Sequence, residues 1–234
     1  MALWAIVPAA GSSRRMRDSA PKQYLRIDGQ PVLLHTLSRL SALPGLDGVV
    51  LVLSPDDIQW PAIAAARPEA ADAVTICRGG AERRHSVING LLSLAGRAAE
   101  DDWVLIHDAA RPCVRVADMQ RLLQAVEYHP VGGLLAVPVA DTLKRGNAAN
   151  AVLETVDRSG LWAAQTPQLF RYGPLRDALS AGTGDKPVTD EASAMENAGH
   201  EPLLVVGSPD NIKITWPPDL HLAGLILQAQ RCET

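Results

Sequence analysis

The sequence lacks most of the features that would announce a function. Only three of its 234 residues are cysteine, Cys77, Cys113 and Cys232, and they are widely spaced with no CxxC pair. That excludes a disulfide framework and a structural zinc site, and it predicts a reduced, cytoplasmic setting. No apolar run approaches the roughly 20 residues of a membrane-spanning helix. The first apolar run, residues 2–7, is closed by Pro8 and precedes Arg14 and Arg15, the reverse of the order in a signal peptide. Neither a membrane partner nor a targeting segment is therefore expected. Positive charge is not in excess either: 22 Lys+Arg against 26 Asp+Glu give a formal net charge of −4, which argues against a nucleic-acid partner.

Several catalytic signatures are also missing. There is no GxxxxGK[ST], which excludes a P-loop NTPase. There is no GxGxxG: counting from Gly11, the second and third glycine positions hold Ser13 and Met16, which disfavours a dinucleotide-dependent dehydrogenase. No GxSxG, no Cys/His pair at a recognisable spacing and no His pair at metal-ligand spacing occur. Covalent catalysis has no visible nucleophile.

What is present is an ordinary globular composition, 47% hydrophobic and 21% charged, and a length that suits one domain or two small ones; we read residues 1–234 as a single domain. Short runs rich in Val, Ile and Leu recur at 2–7, 49–53, 74–77, 103–107, 134–139 and 203–206. Runs of this length without alternation suit strands covered on both faces. Amphipathic stretches at 32–43, 82–95, 116–128, 190–198 and 219–231 lie between them. Alternating strands and helices predict an α/β fold around a largely parallel sheet. Residues 141–168 break the rhythm. There Gly146-Asn147 reads as a turn between strand-like pieces at 142–145 and 152–156. A lone hairpin is marginal in water, so it must pack on the body of the chain or, as we expect, on a second subunit as a dimer arm.

Ligands of open α/β sheets bind beyond the strand ends. After the first strand stands PAAGSSRRM, residues 8–16, followed by Pro21-Lys22-Gln23-Tyr24. Ala9, Ala10, Gly11, Ser12 and Ser13 let the backbone approach a ligand closely, and Arg14, Arg15 and Lys22 add cations, the combination a polyphosphate needs. After the third run come Gly79-Gly80 and, at the start of a helix, Ser86, able to hydrogen-bond a ligand base. After the fourth come Asp108 and Arg111; an acid at a strand end is placed to hold magnesium on phosphates, or to pair internally with the arginine. Thr189 or Asp190 reads as a helix N-cap. Cations around a small-residue loop with one strand-end acid point to nucleotidyl transfer from a nucleoside triphosphate, a reaction of positioning and charge neutralisation.

Together these motifs resemble the 2-C-methyl-D-erythritol 4-phosphate cytidylyltransferase family of the non-mevalonate isoprenoid pathway. The resemblance rests on PAAGSSRRM, PKQY, GGAERRHSV, HDAARP, DT with the following lysine, VDRSGLW, TPQ, TDEAS and DNIKIT, in that order along nearly the whole chain. It implies a doubly wound, mostly parallel, Rossmann-like sheet with a β arm exchanged across a homodimer. It implies that CTP and methylerythritol phosphate give the diphosphocytidyl product and pyrophosphate, with a divalent cation, magnesium. By the resemblance, Arg15 and Lys22 stabilise the transition state, and Lys213 and the arm's Arg158 position the acceptor phosphate. Thr142 and Thr166 belong to the acceptor side. Ala9, Ala10 and Gly11 grip CTP through the backbone, and Gly80, Ala81 and Ser86 read the cytosine. Asp108, the candidate metal ligand, and Arg111 sit near the α-phosphate.

Two positions depart from the family pattern: Ser13 stands where many members have Gly, and Ala81 where they commonly have Asp. The chain ends at Thr234 soon after its last helix, so no fused cyclase domain is expected. The rival readings are a cytidylyltransferase for another polyol phosphate, such as ribitol 5-phosphate, and a non-catalytic nucleotide-binding regulator. The regulator is disfavoured by the presence of Arg15 and Lys22.

Overall fold

The structure, a computed structural model, describes residues 1–11, 21–181 and 187–233. In chain order the elements are β1 (Leu3–Pro8), β2 (Arg26–Ile27), β3 (Gln30–Pro31), α1 (Val32–Ser41), β4 (Gly48–Leu53), α2 (Trp60–Ala66), α3 (Pro68–Asp72), β5 (Val74–Arg78), α4 (Arg83–Leu92), β6 (Trp103–Ile106), α5 (Val116–Val126), β7 (Gly132–Pro138), β8 (Leu143–Gly146), β9 (Val152–Val156), β10 (Trp162–Arg171), α6 (Tyr172–Ser180), α7 (Glu191–Asn197), β11 (Leu203–Val206) and α8 (Pro217–Cys232). A short 3-10 turn spans Lys22–Tyr24.

Seven strands form one sheet in the order β11-β7-β10-β6-β1-β4-β5. Every pairing is parallel except the two made by β10, which runs antiparallel to both β6 and β7. The chain leaves β1 toward β4 and β5 on one side, then returns to lay β6 on the other side of β1. The two directions of travel part between β1 and β6, and a crevice opens beyond their C-terminal ends.

The period of two along each strand divides the core. Ala5, Val7, Val49, Leu51 and Leu105 face α1 and α5, packing with Leu33, Leu37, Leu40, Met119 and Leu122. Trp4, Ile6, Val50, Val52, Val104 and Ile106 face α4, α6 and α7, packing with Val87, Leu91, Leu175 and Met195. Both faces are covered, so these strands read as uninterrupted apolar runs. Gly90 lets α4 settle onto β1: a Cβ there would lie 2.7 Å from Ile6 Cγ2. A third, smaller cluster joins Ala223 and Leu227 of α8 to Ile27, Ala110, Cys113 and Ile214. It pins the segments that carry Arg111 and Lys213.

The strands and helices expected from the sequence are present with shifted ends. The expected hairpin is present as β8 and β9, a separate two-stranded sheet. It takes up only the first part of residues 141–168. Residues 162–168 belong to β10, which enters the middle of the sheet rather than the arm, and this reversed central strand was not anticipated.

Candidate active site

A cleft of about 660 Å³ opens beyond the C-terminal ends of β1, β4 and β6. Its walls include Pro8, Ala9, Ala10, Gly11, Lys22, Gln23, Ser54, Gly80, Ala81, Glu82, Arg83, Ser86, Asp108, Ala109, Ala110, Lys213 and Thr215. Ala9, Ala10, Gly11, Lys22, Gly80, Ala81, Ser86, Asp108 and Lys213, expected from the sequence to act together, thus share one cleft. Arg15, with Ser12, Ser13 and Arg14, lies outside the described residues.

One wall of the cleft is built by close backbone approach. Ala9 N–H continues the β1–β4 ladder by donating to Val52 O at 2.8 Å, and Gly79 N–H donates to Leu53 O at 2.7 Å. A Cβ on Gly79 would stand 2.5 Å from Ala10 Cβ, so only glycine lets the two loops touch. Gly80 N–H donates to Ser86 Oγ at 3.2 Å, and the Ser86 hydroxyl donates to Glu82 O at 3.2 Å. Gln23 Nε2 donates to Ala9 O at 2.7 Å, tying the Lys22 turn to the same wall. Lys22 Nζ rests on Ile214 O at 2.7 Å.

The opposite wall centres on Asp108, which is 7% exposed. Its Oδ1 faces Arg83 Nε at 3.2 Å, and its Oδ2 faces Lys213 Nζ at 2.8 Å and Arg111 Nε at 3.6 Å. Burial alone would raise the carboxyl pKa, but the charges of Arg83, Lys213 and Arg111 outweigh it and hold Asp108 well below the usual carboxylate range. Burial lowers the pKa of Arg111 against the pull of Asp108. Arg83 is opposed by burial too, yet Glu191 and Asp108 raise it.

Thr166 sits where β10 bulges. Between the pairs Ala164↔Ala136 and Gln168↔Leu134, β10 advances four residues while β7 advances two. The bulge turns Thr166 inward: its Oγ1 accepts from Asp108 N–H at 3.0 Å and meets His107 Nδ1 at 3.1 Å. Its hydroxyl therefore supports Asp108 from behind rather than lining the cleft. Asn211 Nδ2 donates to Thr166 O at 2.8 Å, Arg111 donates to Asn211 O at 2.6 Å, and Ile214 N–H donates to Ala110 O at 2.9 Å. The DNIKIT, HDAARP and TPQ segments form one hydrogen-bonded unit. Asp190 caps α7, as expected, accepting from Ser193 N–H, while Gln168 Nε2 donates to Asp190 Oδ2 at 2.8 Å.

Thr142 and Arg158 are exposed on or beside the hairpin, away from this chain's own cleft; Arg158 donates to Ala140 O. Arg83 and Glu191 were not singled out from the sequence. Each reads alone as a polar residue at a helix start, although both lie inside recognised motifs, GGAERRHSV and TDEAS. The buried His107 was missed for the same reason.

Among the described residues no three His, Cys, Asp or Glu side chains converge as a metal cage. Asp108 is a single buried carboxylate on the cleft. Such a donor set fits Mg²⁺ in the mode where one carboxylate and the substrate's phosphates share the ion.

Residues 3–229 match the family described as 2-C-methyl-D-erythritol 4-phosphate cytidylyltransferase (IspD). A protein of that name from Dechloromonas aromatica is 50% identical over 228 residues, 97% of this chain and 98% of its own. One from Pseudomonas aeruginosa is 51% identical over 224 residues, 94% of this chain and 93% of its own. Among solved structures, a 4-diphosphocytidyl-2C-methyl-D-erythritol synthase superposes with a TM-score of 0.84 at 42% identity, covering 97% of this chain and 98% of that one. The 2-C-methyl-D-erythritol 4-phosphate cytidylyltransferase of Thermus thermophilus does so with a TM-score of 0.79 at 28% identity, covering 97% and 100%.

Proposed function

Because this chain belongs to the 2-C-methyl-D-erythritol 4-phosphate cytidylyltransferase family, we infer that it transfers CMP from CTP to methylerythritol phosphate. An oxygen of the acceptor phosphate attacks the α-phosphorus. The bond from that phosphorus to the bridging oxygen breaks, and pyrophosphate departs with the electron pair. The attacking oxygen is already anionic at neutral pH, so no general base is required. What the reaction requires is alignment and relief of negative charge.

The observation that carries this reading is the pairing of a small-residue nucleotide wall with a cationic wall around Asp108, across one cleft. Ala9, Ala10 and Gly11 let the triphosphate approach the backbone. Gly80, Ala81 and Ser86 line the part of the cleft that takes the cytosine, where the close backbone favours a small pyrimidine. Lys22, together with Arg15, neutralises charge on the α-phosphate and the leaving pyrophosphate. Lys213 leaves Asp108 to hold the acceptor phosphate. Asp108 is the residue that would hold magnesium, and the ion would supply further charge neutralisation.

Arg158 and Thr142 complete the acceptor site of a second copy in a homodimer. In support, the β8–β9 hairpin exposes Val152 and Leu153 at 63% and 62%, apolar surface that a partner would cover. No helix among the described residues is long and apolar enough to cross a membrane, and a cytoplasmic location accords with the free cysteines.

The test is pyrophosphate release from CTP, magnesium and methylerythritol phosphate, with ribitol 5-phosphate as alternative acceptor and ATP or UTP as alternative donor. Release only with CTP and methylerythritol phosphate is expected. Release with ribitol phosphate instead would keep the chemistry and overturn the acceptor. Silence in every well with CTP still bound would overturn catalysis.

A further inference from the structure

Arg83 and Glu191 form a bidentate ion pair behind the cleft, with NH1–Oε1 at 2.7 Å and NH2–Oε2 at 3.1 Å. Glu191 is 1% exposed and Arg83 lines the cleft. The same guanidinium reaches Asp108 Oδ1 through Nε at 3.2 Å. One side chain therefore joins three segments far apart in sequence: the start of α4, the end of β6 and the start of α7.

Stability does not explain this arrangement, because a buried ion pair gains little over apolar packing of the same volume. Geometry does. Two parallel N–H···O bonds to one carboxylate fix the plane of a guanidinium, and fixing the plane aims Nε. Glu191 is itself fixed. Gln168 Oε1 accepts from Ala192 N–H at 2.8 Å, and the Asp190–Ser193 capping box closes the first turn of α7. Arg83 also begins α4 directly after Gly80, Ala81 and Glu82, the loop on the nucleotide wall. A shift of Arg83 moves that loop and Asp108 together.

We propose that Glu191 is a positioning residue for the transfer reaction: by clamping Arg83 it sets the nucleotide loop and Asp108 in register with one another. The proposal rests on the reaction inferred above. It distinguishes Glu191 from the residues that touch substrate, since among the described residues its carboxylate pairs with Arg83 and does not line the cleft.

Glu191→Gln keeps the volume and one acceptor oxygen but removes the charge and the second acceptor. It is expected to lower kcat about 10- to 100-fold, the scale of a small misplacement of reacting groups, while KM for CTP changes less than about 3-fold. Arg83→Lys cannot make the planar double contact and is expected to lose kcat similarly. In the double variant the losses coincide rather than multiply, because both remove one clamp. Glu191→Asp, which keeps the charge, is expected to recover part of kcat, and it is the variant to use if Glu191→Gln does not fold. Wild-type kcat in Glu191→Gln, or multiplicative losses, would overturn the proposal.

A second readout is independent of turnover. Amide exchange of residues 79–83 and of Asp108 is expected to quicken in Glu191→Gln, with β6 unchanged. If the wild type releases no pyrophosphate, the inferred reaction fails, and the clamp stands or falls on exchange alone. Unchanged exchange at both segments overturns it.

Discussion

Acid should unfold this protein partly through one buried histidine. His107 is fully buried; its Nε2 lies 3.0 Å from Arg111 O, and its Nδ1 meets the Thr166 hydroxyl. A carbonyl oxygen can only accept, so Nε2 carries the proton and Nδ1 accepts from Thr166. Burial pushes the pKa down from 6.5 to about 4, with Asp108 and Arg111 nearby pulling in opposite directions. The unfolded chain therefore binds a proton at this residue that the native chain refuses between those values, and stability falls as pH falls. Taking 6.5 unfolded and about 4 folded, the loss between pH 7.5 and pH 5 is about 2 kcal/mol, rising to about 3 kcal/mol below pH 4. Asp108 does not blur this window. Its depressed carboxyl contributes stability above the unfolded carboxylate pKa of about 3.9 and surrenders it only at lower pH. Urea denaturation at the two pH values, at fixed protein concentration, measures the effect as a midpoint shift on the order of 1 M. The control is His107→Gln, whose amide still reaches Arg111 O and cannot titrate. The variant is less stable at every pH, but its loss between pH 7.5 and pH 5 is smaller by about 2 kcal/mol. Equal losses in the two proteins would refute the reasoning.

Other consequences follow from the cleft. Lys22→Ala is expected to cut kcat about 100-fold or more with little change in CTP affinity, because its contact strengthens as charge builds on the departing pyrophosphate; near-normal turnover would remove that role. Arg158→Ala is expected to raise KM for the acceptor about 10- to 100-fold, the worth of a charge-assisted hydrogen bond, with KM for CTP unchanged; equal loss of both would place the arm wrongly. Mixing Lys22→Ala and Arg158→Ala homodimers restores partial activity after subunit exchange if the arm crosses, and confirmed heterodimers without recovery would put both residues in one subunit's site. Gly79→Ala forces a Cβ to within 2.5 Å of Ala10 Cβ and 3.2 Å of Leu53 O, so KM for CTP should rise about 10-fold or more with the fold intact; an unchanged KM would mean the two loops need not touch.

The parts of this fold that could be read from the sequence are those where one rule acts alone. Strands β1, β4 and β6 are apolar on both faces and announced themselves as runs of Val, Ile and Leu. Strand β10 did not, because Pro167, Gln165, Thr166 and Gln168 interrupt its apolar pattern. Those polar side chains are buried against partners that no local rule connects: His107, Ser208, Asn211 and Asp190. The candidate site divides in the same way. Small residues and cations after β1, and the acid after β6, are strand-end signals. The Arg83–Glu191 clamp joins positions 108 residues apart and leaves no periodic trace. The hairpin was legible in the turn at Gly146-Asn147, but Arg158 and Thr142 stood out only through the family resemblance, and their relation to a cleft rests on the proposed dimer.

The distribution of charge accounts for the choice of chemistry. The chain as a whole carries −4, yet Lys22, Arg83, Arg111 and Lys213 gather around the cleft, where the buried carboxylates are Asp108 and Glu191. Were those cations unpaired and buried, their desolvation would be prohibitive. The two carboxylates hold three of them, Arg83, Arg111 and Lys213, in place. The one imidazole behind this wall, His107, is neutral and committed at both nitrogens, so it neither shuttles protons nor adds charge. A site of fixed cations favours an acceptor that arrives already charged over a neutral alcohol, which would need a base to ionise it. A phosphate monoester meets that condition.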